Sequence, residues 1–168
     1  MILTSVKQDD PILRQKIEAF DFKLLPVDPI ELAVNLYETL MSSSYIGLSA
    51  PQVGIPHRAF ALRTQPGIVC FNPKIVDVSA EEVTLDEVDY SFPHLAFPVK
   101  RPKKIKVRYA EPNSIVKTVV FEGMTARYFL QQLDHLDGIL YTQKANKIHL
   151  DRALRKKKQL ERQAKVKG

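Results

Sequence analysis

Two parts of this 168-residue chain hold residues that could do chemistry. The first is a scattered polar set: EVDYS at 87–91, QQLDH at 131–135, and Gln52 in the run YIGLSAPQVGIP. Asp89 and His135 are groups that can ligate a divalent cation or bond within a core. Gln131 and Gln132 carry amides, which have no useful basicity near neutral pH. His57 and His149 stand in surface-like contexts, and His94 falls on an expected loop, where a lone histidine is a solvated side chain. Cys70, in GIVCFNP, has no histidine beside it in sequence and reads as a small core residue, not a nucleophile.

The second part is the tail, residues 151–168. Arg152, Arg155, Lys156, Lys157, Lys158, Arg162, Lys165 and Lys167 stand there against only Asp151 and Glu161. This excess accounts for the whole formal net charge of +6, so the first 150 residues are neutral. The tail is rich in helix formers, with Leu150, Ala153, Leu154 and Lys157 marking one side. It suits either a solvated helix or contact with an anionic polymer such as RNA. Its apolar side is too thin for a membrane surface.

The elements that must position these residues follow from length and pattern. The length suits one domain with one sizeable core. We expect a main unit over 1–150 and a basic helical tail over 151–168. Hydrophobic residues at 45% and charged residues at 26% are ordinary globular values,. A single cysteine excludes an internal disulfide and a Cys-rich zinc scaffold,. No apolar run approaches the ~18 residues of a membrane span. The opening MILTSVKQDDP lacks the basic start and apolar core of an export signal, so cytoplasm is the expected compartment.

DDPILRQ predicts an extended start with a turn, because Pro11 disfavours helix at Asp10. PVDPIELAVNLYETLMSS predicts a helix with Asp28 as N-cap and Pro29 in the first turn. Its face comprises Ile30, Leu32, Ala33, Val34, Leu36, Tyr37 and Leu40. Short strand runs follow: RAFALR, GIVCFNP, KIVDV, VTLDEV, FPVKR, KIKVRYA and SIVKTVVFEG. In KIKVRYA, Ile105, Val107 and Tyr109 share one face. MTARYFLQQLDHLDGILY predicts a second helix, with Phe129, Leu133, Leu136 and Leu140 in register and Gly138 a weakness near its end. Strands in succession predict an α+β fold with antiparallel sheets around a central helix.

Three segments together resemble the peptide deformylases. YIGLSAPQ resembles that family's Gly-x-Gly-Leu-Ala-Ala-x-Gln loop, EVDYS its Glu-Gly-Cys-Leu-Ser segment, and QQLDH its His-Glu-x-Asp-His helix motif. DPILR, CFNPKIV, PVKRPKKIKV and EGMTARYFL agree in order and spacing, over roughly residues 5–150. The resemblance implies a peptide-deformylase-like fold and a role in translation, where the family removes the formyl group from N-terminal formyl-methionine. There, one Cys and two His hold a divalent metal, usually Fe²⁺ or Zn²⁺, a Glu is the general base, and a Gln and a backbone N–H stabilise the oxyanion. The two His lie at i, i+4 on one helix face.

Carried over residue by residue, the pattern breaks where the chemistry sits. The metal positions become Asp89, Gln131 and His135. The base position becomes Gln132. The oxyanion donors fall on Gln52 and the Tyr90 backbone N–H. Substrate positions fall on Tyr45, Gly47, Leu48 and Ser91. Gly47 is also readable as a glycine kept for a positive φ. Losing the base alone costs ~10²–10⁴-fold, and an amide is a far weaker ligand than imidazole. The expectation is a deformylase relative with lost or strongly reduced hydrolysis and no metal at high occupancy. A polar cluster of Asp89, Gln131, Gln132 and His135 would replace the metal. The alternatives are an active deformylase with Fe²⁺, Zn²⁺ or a similar ion in a rewired site, and a regulatory scaffold for a protein partner. The resemblance also implies a partner, the ribosome or a nascent N-terminus, with Arg152, Arg155, Lys156, Lys157, Lys158 and Arg162 as RNA contacts.

Overall fold

The computed structural model describes residues 1–24 and 27–168. Asp28 and Pro29 start the first helix, α1 (Pro29–Met41), and the Asp28 carboxylate accepts from the Ile30 N–H at 2.8 Å. Pro26, the first residue of the expected run, lies outside the described residues. The buried stripe is Leu32, Ala33, Leu36, Thr39 and Leu40; Ile30 and Val34 stay exposed, because only the narrower stripe faces the sheet,.

The helix feeds a five-stranded antiparallel sheet of order β1-β2-β3-β6-β7: β1 (Gly47–Ser49), β2 (Ala59–Leu62), β3 (Ile68–Val78), β6 (Lys104–Ala110) and β7 (Val116–Glu122). β4 (Glu82–Asp89) and β5 (Phe92–Pro102) form a separate antiparallel pair. Ile105, Val107 and Tyr109 of β6 face inward, as the alternation requires. α2 (Gly123–Leu136) packs across β1, β2, β6 and β7 and also touches β5, so it is the central helix. α3 (Lys147–Val166) packs on β5. The α+β expectation holds.

Local differences from the sequence reading have local causes. The turn expected after the extended start is a 3-10 turn over Pro11–Arg14, where the Asp10 side chain accepts from the Ile12 N–H at 3.0 Å. GIVCFNP and KIVDV are one strand, β3. Its register shifts between Phe71 and Lys74, where Asn72 adopts φ 49 and Pro73 escapes the ladder,. The Asn72 amide then bonds the Phe20 backbone in both directions, at 2.7 and 2.9 Å. His94 lies in β5 rather than on a loop, exposed and with φ 63. α2 stops at Leu136, so Leu140 is not on its face but packs with Leu13, Phe92, Leu95 and Tyr141 in a third cluster.

The stop is set by Gly138, at φ 72. The Ile139 N–H reaches back to the Asp134 carbonyl at 2.9 Å, in the manner of a glycine-terminated helix. A Cβ on Gly138 would also stand 2.6 Å from the Arg14 carbonyl oxygen. α3 is capped by Asn146, whose side chain accepts from the Ile148 N–H at 2.9 Å. Leu150 and Ala153 pack inward, but Leu154 is 41% exposed and does not belong to that side. Lys157 does: its side chain is half-buried and its ammonium reaches Gln8 at 3.4 Å and Glu161 at 3.9 Å. Among the described residues, no helix is long and apolar enough to cross a membrane.

Two measurements check this packing. Gly138→Ala is expected to lose at least ~1–2 kcal/mol in a urea melt, from the left-handed backbone alone. Burial, then the Cys70 and Glu111 groups, push the Tyr109 phenol up from 10.0 to about 12. The fold favours the protonated phenol, so this contribution is whole below pH 10 and is lost as pH rises to about 12,. An alkaline stability profile falling in that window, and flattened by Tyr109→Phe, is the expected result.

Candidate functional site

β4 and β5 are joined by a two-residue turn, Tyr90–Ser91, with Asp89 paired to Phe92 across it. Period-2 alternation sends Glu87 and Asp89 inward and leaves Val88 exposed,. The inward face of α2 presents Arg127, Gln131 and His135, one turn apart, with Gln132 beside them. A 3-10 turn over Ala50–Val53, closed by Gly54 at φ 76, delivers Gln52 from the third direction. The sequence therefore brings Asp89, Ser91, Gln52, Gln131, Gln132 and His135 to one place. All are buried; Asp89 and His135 are each 1% exposed.

There they bond mainly to one another. Asp89 Oδ1 accepts from the Ser91 N–H at 2.9 Å and from Gln52 Nε2 at 3.1 Å. Asp89 Oδ2 meets His135 Nε2 at 2.5 Å. Gln52 Nε2 also reaches Ser91 Oγ at 3.1 Å, while Gln52 Oε1 accepts from the Ser49 N–H and hydroxyl at 2.9 and 3.1 Å. Gln131 Nε2 donates to Glu87 Oε1 and the Val88 carbonyl, and Gln131 Oε1 accepts from Gln132 Nε2 at 3.2 Å. Two buried atoms of the cluster, Gln132 Oε1 and His135 Nδ1, have no partner among the described residues.

The remaining expected site residues close the cluster from outside. Gly47 is a glycine because of close approach, not positive φ: a Cβ there would lie 2.7 Å from Gln132 Nε2. Leu48 is fully buried in the first core cluster, not at a surface. Tyr45 and Tyr90 pack edge to face at 5.4 Å. Burial first, then the Asp89 charge and Tyr90, raise the Tyr45 phenol; burial raises that of Tyr90. A groove of about 570 Å³ runs between Ser5–Asp9 and the turn, and only Tyr90 and Ser91 of the cluster line it.

Sequence reasoning missed the two arginines that hold this place together. Arg101 clasps Glu87 through Nε and Nη2 at 2.5 and 2.9 Å, and its Nη1 reaches Asp134 at 2.9 Å. Burial works against the Arg101 charge, but Glu87 and Asp134 outweigh it and raise its pKa. Arg127 bonds Glu87 at 2.7 Å and the carbonyls of Val99 and Val83 at 2.8 and 2.6 Å. A signal existed: two carboxylates on the inward face of one strand demand buried cations.

The divalent metal of the resembled family needs lone-pair donors converging on one point with an open position. Here the two strongest donors, Asp89 and His135, face each other and bond directly. The Gln131 oxygen is engaged by Gln132. Among the described residues no three of His, Cys, Asp and Glu are placed to share an ion. The donor set does not fit the metal.

The polypeptide deformylase family model matches residues 2–151. The peptide deformylase of Wolbachia pipientis from Culex pipiens is 34% identical over 146 residues, covering 79% of this chain and 82% of its own. That of Flavobacterium johnsoniae is 33% identical over 168 residues, covering 88% and 84%. A solved peptide deformylase from Synechococcus elongatus, in complex with actinonin, superposes with TM-score 0.84 at 30% identity, over 92% of this chain and 85% of its own.

The cluster's mechanical role is testable. Glu87→Ala leaves two guanidinium groups short of their buried counter-charge and is expected to lose ~3–5 kcal/mol in chemical denaturation. Exposed Asp86→Ala, next to it on the strand, is expected to stay within ~0.5 kcal/mol. Equal effects of the two would show that the network does not hold the strand.

Proposed function

The chain belongs to the polypeptide deformylase family, and on that premise we propose a deformylase-like protein of the translation machinery whose metal-dependent hydrolysis is lost or strongly reduced and whose basic tail faces ribosomal RNA. The observation that carries the first half is the direct Asp89–His135 bond, with an amide, Gln132, in the base position. Asp89 stands where the family's thiolate would, and its charge is engaged by His135, Gln52 and the Ser91 N–H. Gln52, in the oxyanion-donor position, gives its Nε2 to Asp89 and Ser91. The Tyr45–Tyr90 pair stands over the same place. Asp89, His135 and Gln52 thus each have another partner, and the base alone accounts for ~10²–10⁴-fold.

The second half is supported by charge and placement. Arg152, Arg155, Lys156, Lys158 and Arg162 are exposed along α3, whereas Lys157 is partly taken up in packing. A neutral body with a basic helix at one edge favours an anionic polymer or a nascent chain beside it.

The deciding assay offers a formyl-methionyl tripeptide to anaerobically handled protein with Fe²⁺, Ni²⁺, Co²⁺ or Zn²⁺. The expected result is no turnover. Turnover abolished by Asp89→Ala and by His135→Ala would replace this reading with that of an active, rewired hydrolase. The triple change Asp89→Cys, Gln131→His, Gln132→Glu is expected to gain near-stoichiometric metal. Co-sedimentation with ribosomes is expected to fall steeply with salt, as counterion release requires; a flat response would remove the RNA half.

A further inference from the structure

The charges of α3 fall on two stripes. Arg155, Lys158 and Arg162 look outward, while His149, Arg152 and Lys156, spaced three and four apart, share a second flank,. That flank forms one wall of a cleft of about 260 Å³, whose other wall is Asp86, Phe97 and Pro98 of β4 and β5. Its base is firm, since Phe97 and Ala153 are buried in the third core cluster. We infer that this cleft is a phosphodiester-binding site, which grips one backbone phosphate of an RNA strand against the β4–β5 hairpin. The inference rests on the reading of the tail as RNA-facing and adds where, and by which residues, the strand is held.

Three observations carry it. Arg152 and Lys156 are like charges at i, i+4, an arrangement that destabilises a helix. Among the described residues neither forms an ion pair within 4.0 Å, although Lys157 and Lys144 nearby do. A bound anion would relieve that repulsion. The volume lies below the ~300–1,000 Å³ of sites for whole small molecules, so the cleft takes a group and not a cofactor. The charge balance then selects the group. Arg152 and Lys156 against the Asp86 carboxylate leave one positive charge, which matches a singly charged phosphodiester better than a doubly charged phosphate monoester.

The test uses the full chain and a fluorescent single-stranded oligouridylate, read by anisotropy across a salt series. Arg152→Ala with Lys156→Ala is expected to weaken binding about tenfold or more, as loss of charged hydrogen bonds implies. Its salt slope should shrink by about 0.7 for each phosphate no longer neutralised. The free variant should melt no lower than the parent, since it has shed a repulsion. Asp86→Asn is expected to tighten oligouridylate and to let inorganic phosphate compete. If Lys158→Ala with Arg162→Ala weakens binding as much as the cleft pair, the charge acts diffusely and the cleft is refuted. If only that outward pair matters, the cleft is refuted and the RNA-facing tail stands. No binding by the parent chain at any salt overturns both. Tighter binding to phosphatidylglycerol vesicles than to RNA, through the same two residues, would assign the site to a lipid and overturn the RNA proposal.

Discussion

One buried carboxylate, Glu87, organises the interior of this protein. It accepts from Arg101, Arg127 and Gln131 at once, and none of the four is more than 3% exposed. Buried ions are tolerable only when paired and fully bonded. Arg101 therefore also takes Asp134, and Arg127 takes two backbone carbonyls. The result is a weld between the β4–β5 pair and the central helix. The turn that carries Asp89 hangs from this weld, two residues along the same strand. Any chemistry available to Asp89 is decided by how Glu87 seats the strand against α2.

The neighbouring Asp89–His135 bond is a second link between the same two elements. Here the sheet pair and the helix are joined by polar bonds more than by apolar packing,. The network is not complete. Gln132 Oε1 and His135 Nδ1 remain without partners, which is costly inside a core. Family membership accounts for that cost better than stability does. Under the proposed reading, the helix keeps a face that the family uses for ion ligation, and other side chains fill it imperfectly.

Much of this was legible in the sequence. Asp28–Pro29 announced α1, and KIKVRYA pointed to the correct inward face of β6 from alternation alone. The members of the polar cluster were also nameable, because a family motif fixes positions even after its residue types change. What stayed hidden depends on long-range geometry. No local pattern distinguishes Arg127 on an amphipathic helix from a surface arginine, and Arg101 sits in a run of basic residues that reads as solvated. Gly47 looked like a turn glycine, yet it is required by Gln132, 85 positions away along the chain. β3 looked like two strands because Pro73 is a breaker in every local rule, and only the Asn72–Phe20 bonding shows how the ladder steps around it.

The proposed replacement of the family's thiolate by Asp89 also changes what oxidants find. An accessible thiolate is readily oxidised. Here a carboxylate stands in that position, and the one thiol in the chain, Cys70, is fully buried and pushed well above its ordinary pKa, largely by burial. Peroxide meeting the folded protein is left with the thioethers of Met1, Met41 and Met124, all on the surface. Oxidation of the folded chain is thereby directed to exposed thioethers rather than to its buried thiol.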